Sequence, residues 1–499
     1  MNNSPETLLD GLDEAQRSAA TALEGPVRIV ACAGAGKTRT ITRRIAYACA
    51  KGDWDPSRVL SVTFSVKAAR EMRSRLDSLG VSSDALATTF HSAALQQLRK
   101  VWGKVCSADF PNIIDDSRTV MSSAVSRYPE LFDMTPIQIR DVLSEINWSK
   151  VSLIAPEDYA RVCAAIHRKA PAGLEVSQFV DLYEAYEIEK NARNLIDFND
   201  ILLLTCHVMR NFPEAASSIR SRIGWITVDE YQDVSPLQHE LLRLWMGINR
   251  DICVVGDPAQ TIYSFAGATG YYLLDFNKEF SPISADISLC TDYRSTERIV
   301  GMANKVLAKS GCKKDYLTLH SVAKGGVRVS KQVYESDKLE ALGCVENIVK
   351  EIKSGKAIAS QYAILTRTNA QQQIICKALA AANLSYNVRK DTGLRNVVCD
   401  FGKTEREDFT SISSILKAAS SVTVSTIHAS KGLEFDHVYV LGCSEGLIPF
   451  GSPTDEDQIE EERRLMYVAV TRAEKTLHLS YAVRKDAGIG ISRAPSRFL

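Results

Sequence analysis

The sequence predicts an α/β fold built on two open parallel sheets, and three observations carry that expectation. Seven short, nearly continuous apolar runs match strands buried on both faces: VRIVACAG (27–34), VLSVTF (59–64), WITVDE (225–230), ICVVGD (252–257), YAILTRT (362–368), VTVSTIHA (422–429) and VYVLG (438–442). Helical patterns lie between most of them, as in repeated strand–helix–strand units. Four runs precede residue 260 and three follow residue 360, and 499 residues exceed what one core accommodates, so two sheets are expected.

The stretch from 93 to 195 has no good strand and is expected to be a helical insertion in the first lobe. Residues 391–420, DTGLRNVVCDFGKTEREDFTSISSILKAAS after Lys390, are the most polar connection of the second half and predict a linker. The 60 basic and 60 acidic side chains cancel, so any basic track must be local. MNNSPETLLDGLDEAQ has no basic segment followed by an apolar run, and no stretch approaches the ~20 apolar residues of a membrane span. A cytoplasmic protein without a membrane partner is expected. The 12 cysteines form no C-x-x-C pair and lie singly in apolar segments, and the histidines lack ligand spacing, so zinc is not expected.

The first run leads into Ala31-Cys32-Ala33-Gly34-Ala35-Gly36-Lys37-Thr38 and then a helical pattern, TRTITRRIAYA. Strand, glycine loop and helix in that order make a phosphate cradle of backbone N–H groups. Lys37 is placed to reach the β- and γ-phosphates and Thr38 to hold Mg²⁺. The first position of the general pattern is Ala31 instead of glycine. Asp229 and Glu230 end the WITV strand, where an open sheet places ligands. Asp229 is assigned to Mg²⁺ through water and Glu230 to polarising the attacking water. Gln260, after the VVGD strand, could contact the γ-phosphate, although alone it is equally an ordinary loop residue.

Read in order, these segments resemble superfamily 1A helicases of the UvrD/PcrA/Rep group, with wording nearest the second UvrD-type helicases of actinobacteria. The resemblance covers most of the chain: LDEAQRSA (12–19), ACAGAGKTRT, LSVTFSVKAAREMRSRL (60–76), TTFHSAALQQLR (88–99), IDFNDILL (196–203), VDEYQDVSPLQ (228–238), VVGDPAQTIYSFAGA (254–268), DYRSTERIV (292–300), TRTNAQ (366–371), VSTIHASKGLEFDHV (424–438) and EEERRLMYVAVTRAEKTL (460–477). It implies two RecA-like P-loop NTPase domains, 1A (1–92 and 196–283) and 2A (284–390 and 421–499), with a helical 1B insertion (93–195). It implies that Gln16 reads adenine and that Tyr293 stacks on it. Ala33, Gly34, Ala35, Gly36, Lys37 and Thr38 hold phosphates, Arg39 lies near base or phosphates, and Glu434 touches the ribose end. Arg294 and Arg472 bring positive charge to the γ-phosphate; an arginine finger adds roughly 10³–10⁵ in rate.

The resemblance further implies that single-stranded DNA, or the tail of a duplex, crosses both domains. Its contacts would be Thr63, Phe64, His91, Tyr263, Phe265, Arg367 and Asn369, with Thr426, His428 and Lys431 on the backbone. Three positions depart from the family: Val66 stands where Asn is common, Phe265 where Trp is frequent, and Ala266 where many relatives carry Arg. The regulatory 2B domain is expected to be missing, because only 57 positions separate Asn369 from Thr426 and part of those belong to 2A. The end at PSRFL suggests a motor without C-terminal modules. The implied activity is an ATP- and Mg²⁺-dependent helicase or translocase moving 3′→5′ in DNA repair or recombination. The alternative is a nucleotide-gated DNA-binding subunit of a repair or phage-defence complex, acting with a nuclease or repair protein.

Overall fold

The computed structural model describes residues 4–128, 134–389, 420–485 and 492–499. The strands in chain order are β1 (Val27–Ala31), β2 (Val59–Thr63), β3 (Leu86–Thr89), β4 (Asn112–Ile113), β5 (Leu195–Ile196), β6 (Trp225–Val228), β7 (Ile252–Gly256) and β8 (Ala285–Leu289). They continue with β9 (Thr291–Asp292), β10 (His320–Ser321), β11 (Ser330–Ser336), β12 (Tyr362–Thr366), β13 (Tyr386–Arg389), β14 (Val422–Thr426), β15 (Phe435–Val440) and β16 (Ala473–Arg484).

Two six-stranded sheets result, ordered β3-β2-β6-β7-β1-β8 and β11-β16-β15-β12-β14-β13, and every pairing in them is parallel. All five residues of β2, β7 and β12 are buried, as strands covered on both faces require. In the first sheet β6, β7 and β1 are consecutive, so their carboxyl ends open onto one crevice, where such sheets bind ligands. One apolar cluster runs from Ile29 and Val255 in the first lobe to Val438 and Leu477 in the second.

The boundary expected at 283/284 falls too early. Strand β8 pairs with β1 over five registers, from Val27↔Ala285 to Ala31↔Leu289, so the first sheet runs to Leu289. The insertion also starts later than residue 93. The helix Phe90–Val105 packs Ala94, Leu98 and Val101 against Leu60, Val62 and Ile226 of the first sheet. The insertion's own core, with Val120, Leu182 and Tyr186, lies in the helices Ser117–Val125, Pro136–Val151, Pro156–Ile166 and Val176–Ala192. The β4–β5 pairing joins the two chain crossings at its base.

The expected linker 391–420 lies, apart from Ser420, outside the described residues. Among the described residues every cysteine is free, and no helix is long and apolar enough to cross a membrane.

Candidate functional site

The loop after β1 turns on two glycines in the left-handed region, Gly34 (φ 73°) and Gly36 (φ 74°), and the helix Lys37–Lys51 starts at once. That conformation favours glycine, and at Gly34 space is also short: a Cβ would lie 2.2 Å from Asp292 Oδ1. The Lys37 charge acts on four carboxyl groups at the ends of β6 and β7, those of the buried Asp229, Asp233 and Asp257 and of the partly buried Glu230. Burial, helped by the neighbouring Glu230, pushes Asp229 up to about 7. Burial also works against the charge of Glu230, but Lys37, Lys431, Gln232 and Arg472 outweigh it and hold this carboxyl below its ordinary value. Glu230 is therefore the more readily ionised member of the pair.

Thr38 Oγ1 donates to Asp229 Oδ2 at 3.3 Å. A hydroxyl beside a buried carboxylate gives hard oxygen donors whose charge calls for a cation, which fits Mg²⁺. Gln260 Nε2 donates to Asp257 Oδ2 at 2.7 Å. The same oxygen accepts from the Tyr467 hydroxyl at 3.2 Å, and that hydroxyl accepts from the Ala33 N–H at 3.2 Å. Tyr467, on the helix Glu456–Val470, thus ties the second lobe to the glycine loop. The sequence offered no sign of this role, because the residue lies within an apolar stretch. Asp292 and Gln232 were likewise not singled out. Asp292 caps the turn that holds Arg294 by accepting from the Arg294 and Ser295 N–H groups, and Gln232 bridges Glu230 and the Asp257 N–H.

The other residues expected at the nucleotide gather at the same crevice. The N–H of Tyr293 donates to Gly34 O at 3.0 Å, and its half-exposed ring is held by a hydrogen bond from its hydroxyl to Asp13. Gln16 is buried and donates to Ala35 O at 2.9 Å. Arg39 reaches Gly11 O at 3.1 Å, on the loop before the Gln16 helix. Arg294 pairs with Glu434, and its buried Nε has no hydrogen-bond partner among the described residues. Arg472 is buried and donates to Val468 O, Leu433 O and Thr471 Oγ1. Burial and nearby Arg294 push its guanidinium down to about 10, against the opposing pull of Tyr467, Glu230 and Glu434.

A second group of residues forms an aromatic row where the lobes meet. The Phe64 and Tyr263 rings stack with centroids 5.3 Å apart. Phe265, 63% exposed, meets Tyr263 and His428 edge-on. Lys431 lies 5.0 Å from the centre of the Tyr263 ring, and its ammonium also binds Asp233 (2.5 Å) and Gln260 O (2.5 Å) across the lobe junction. His428 is buried, and burial together with Arg367 and Lys431 pushes it down to about 3, so it is a neutral imidazole. Arg367 forks onto Glu462 and lies over Phe450. Asn369 is exposed at the start of the helix Asn369–Ala381, while Thr63 and Thr426 are buried. His91 stands apart from the row, stacked on Phe198 at 3.6 Å.

Family comparison agrees with this geometry. The UvrD/REP helicase N-terminal domain matches residues 12–281, and the UvrD-like helicase C-terminal domain matches 287–395 and 405–484. The chain is 35% identical to the ATP-dependent DNA helicase UvrD2 of Mycobacterium tuberculosis, covering 100% of this chain and 82% of that protein. That alignment spans 586 positions against 499 residues here, so at least 87 positions of the relative have no counterpart in this chain. The ATP-dependent DNA helicase PcrA of Bacillus subtilis is 27% identical, over 97% of this chain and 84% of its own length. With both domain models matched in order over nearly its whole length, the chain belongs to the UvrD/Rep helicase family.

Proposed function

We propose that the chain is an ATP-dependent DNA helicase that moves 3′→5′ on single-stranded DNA and separates strands or displaces proteins during DNA repair or recombination. The reading rests on one observation: the glycine loop, the Asp229–Glu230 pair and the Arg294–Arg472 pair share a crevice between two lobes that also meet along an aromatic row. The names of the mycobacterial and Bacillus relatives support ATP and DNA as the ligands.

In this mechanism Lys37 and the loop N–H groups hold the β- and γ-phosphates of ATP, while Tyr293 and Gln16 take the adenine. Thr38 and Asp229 would hold Mg²⁺, which supplies charge neutralisation at the transferred phosphoryl group. Glu230, kept charged by its cationic neighbours, orients and deprotonates the attacking water. Arg294 exchanges Glu434 for the γ-phosphate, and Arg472 adds a second positive charge as the lobes close. Closing and opening shift Lys431, which touches both Gln260 O and the Tyr263 ring, and so change the grip on bases stacked along Phe64, Tyr263 and Phe265. His91, Arg367, Asn369, Thr63, Thr426 and His428 complete the strand track.

Residues 1–105 and 196–289 are assigned to 1A, 106–195 to the 1B insertion and the rest to 2A. A short connection replaces 2B, in line with the unmatched positions of the mycobacterial relative and the break in the family match between 395 and 405. The test is ATPase rate with and without single-stranded DNA, for the wild type and Lys37→Ala, followed by strand displacement on duplexes with 3′ or 5′ tails. DNA-stimulated ATP hydrolysis lost in the variant, with unwinding only from a 3′ tail, is expected. An ATPase indifferent to DNA removes the motor reading.

A further inference from the structure

The insertion helix Pro136–Val151 ends in a feature that the nucleotide chemistry does not use. The Lys150 ammonium is buried and binds Asp197 (2.5 Å), Asp200 (2.6 Å) and Glu187 (2.7 Å). Lys190 binds the same three carboxylates at 2.9, 2.6 and 2.8 Å. Buried ammonium groups are expensive to desolvate and persist only when fully paired, so the network fixes this helix end in one place. Two residues beyond Asp197, Asn199 donates to Asn147 on the insertion helix at 3.2 Å. Phe198, between them, stacks on His91.

The residue after Lys150 faces the other way along the track. Val151 packs on the turn that carries Phe265, so closely that a Cβ on Gly267 would lie 2.4 Å from Val151 Cγ2. From the opposite side, the helix Glu456–Val470 meets this segment, with Arg464 Nε donating to Thr261 O at 2.6 Å. The Phe265 turn is thus clasped between the insertion and the second lobe.

We propose that Lys150 and Val151 are positioning residues for the strand grip: the Lys150–Lys190 carboxylate network anchors the helix end, and Val151 transmits that position to the Phe265 turn. This rests on the DNA-track reading above. Neither residue touches nucleotide or takes part in hydrolysis, so loosening the strut changes the DNA needed to stimulate the motor and leaves its speed at saturation intact.

The experiment measures ATPase rate against oligothymidylate concentration for the wild type, Lys150→Met and Val151→Ala, with thermal melting of each. Both variants are expected to raise the oligonucleotide concentration giving half-maximal stimulation by about tenfold, the share of one base–aromatic stack. The DNA-free rate and the saturating rate should match wild type, a split that general unfolding would not produce. If Lys150→Met fails to fold, Val151→Ala decides, because it leaves the ion network whole. A folded Val151→Ala protein with the wild-type half-saturation point overturns the strut. No stimulation of the wild type by DNA would instead overturn the functional reading on which it rests.

Discussion

Replacing Lys431 with methionine removes the one ammonium that binds the buried Asp233 carboxylate across the lobe junction. Burial pushes Asp233 up to about 6 even with Lys431 in place to oppose it. A free aspartate titrates near 3.9, so this group destabilises the folded state as pH rises from about 4 to 6 and then adds no further penalty. Without Lys431 the folded-state value climbs, and the penalty continues to grow above pH 6. Each further pH unit is worth about 1.4 kcal/mol. The variant should therefore lose up to about 1.4 kcal/mol more than wild type at pH 7 than at pH 6, and up to about 2.7 kcal/mol more at pH 8. Lost charge-assisted hydrogen bonds add an offset of roughly 1.5–3 kcal/mol that does not vary with pH. Urea unfolding of both proteins, followed by intrinsic fluorescence between about pH 5.5 and 8, measures the difference. A difference that stays flat across this range refutes the assignment of Asp233 as a buried carboxylate held ionised by Lys431.

Arg472→Ala should lower kcat by roughly 10³-fold or more with little change in nucleotide affinity, checked by steady-state ATPase and nucleotide titration. Gly34→Ala puts a Cβ against Asp292 at a left-handed φ and should abolish nucleotide binding, read as loss of ATP-induced thermal stabilisation. Phe265→Ala removes the most exposed ring of the row and should weaken single-stranded DNA binding by about 1–3 kcal/mol, measured by fluorescence anisotropy.

The central strands were legible in the sequence because they are covered on both faces and spell continuous apolar runs. The four strands that escaped this criterion at the sheet margins, β3, β8, β11 and β13, are the four sheet edges. Strands β8 and β13 alternate between more and less exposed positions, and β11 is mostly uncovered. Their sequences, such as ADISL and YNVR, carry too little apolar content to stand out from loops. A fifth, β16, lies inside its sheet but opens with the charged AEKT. The nucleotide loop and its carboxylates could be found because phosphate and metal chemistry demands fixed residue types at fixed spacing. Tyr467 and Asp292 could not, since their roles come from contacts across hundreds of residues or across a turn, with no local pattern to mark them.

Each of the three nitrogens of Arg472 already donates within its own lobe, to two carbonyls and one hydroxyl, which leaves two of its five N–H groups for a ligand. Its guanidinium is thus aimed before any ligand arrives and has little freedom to search for one. The charge of Arg472 then reaches the nucleotide by rigid-body travel instead of a side-chain swing. A compound that props the two lobes apart would silence such an enzyme while leaving its nucleotide affinity untouched.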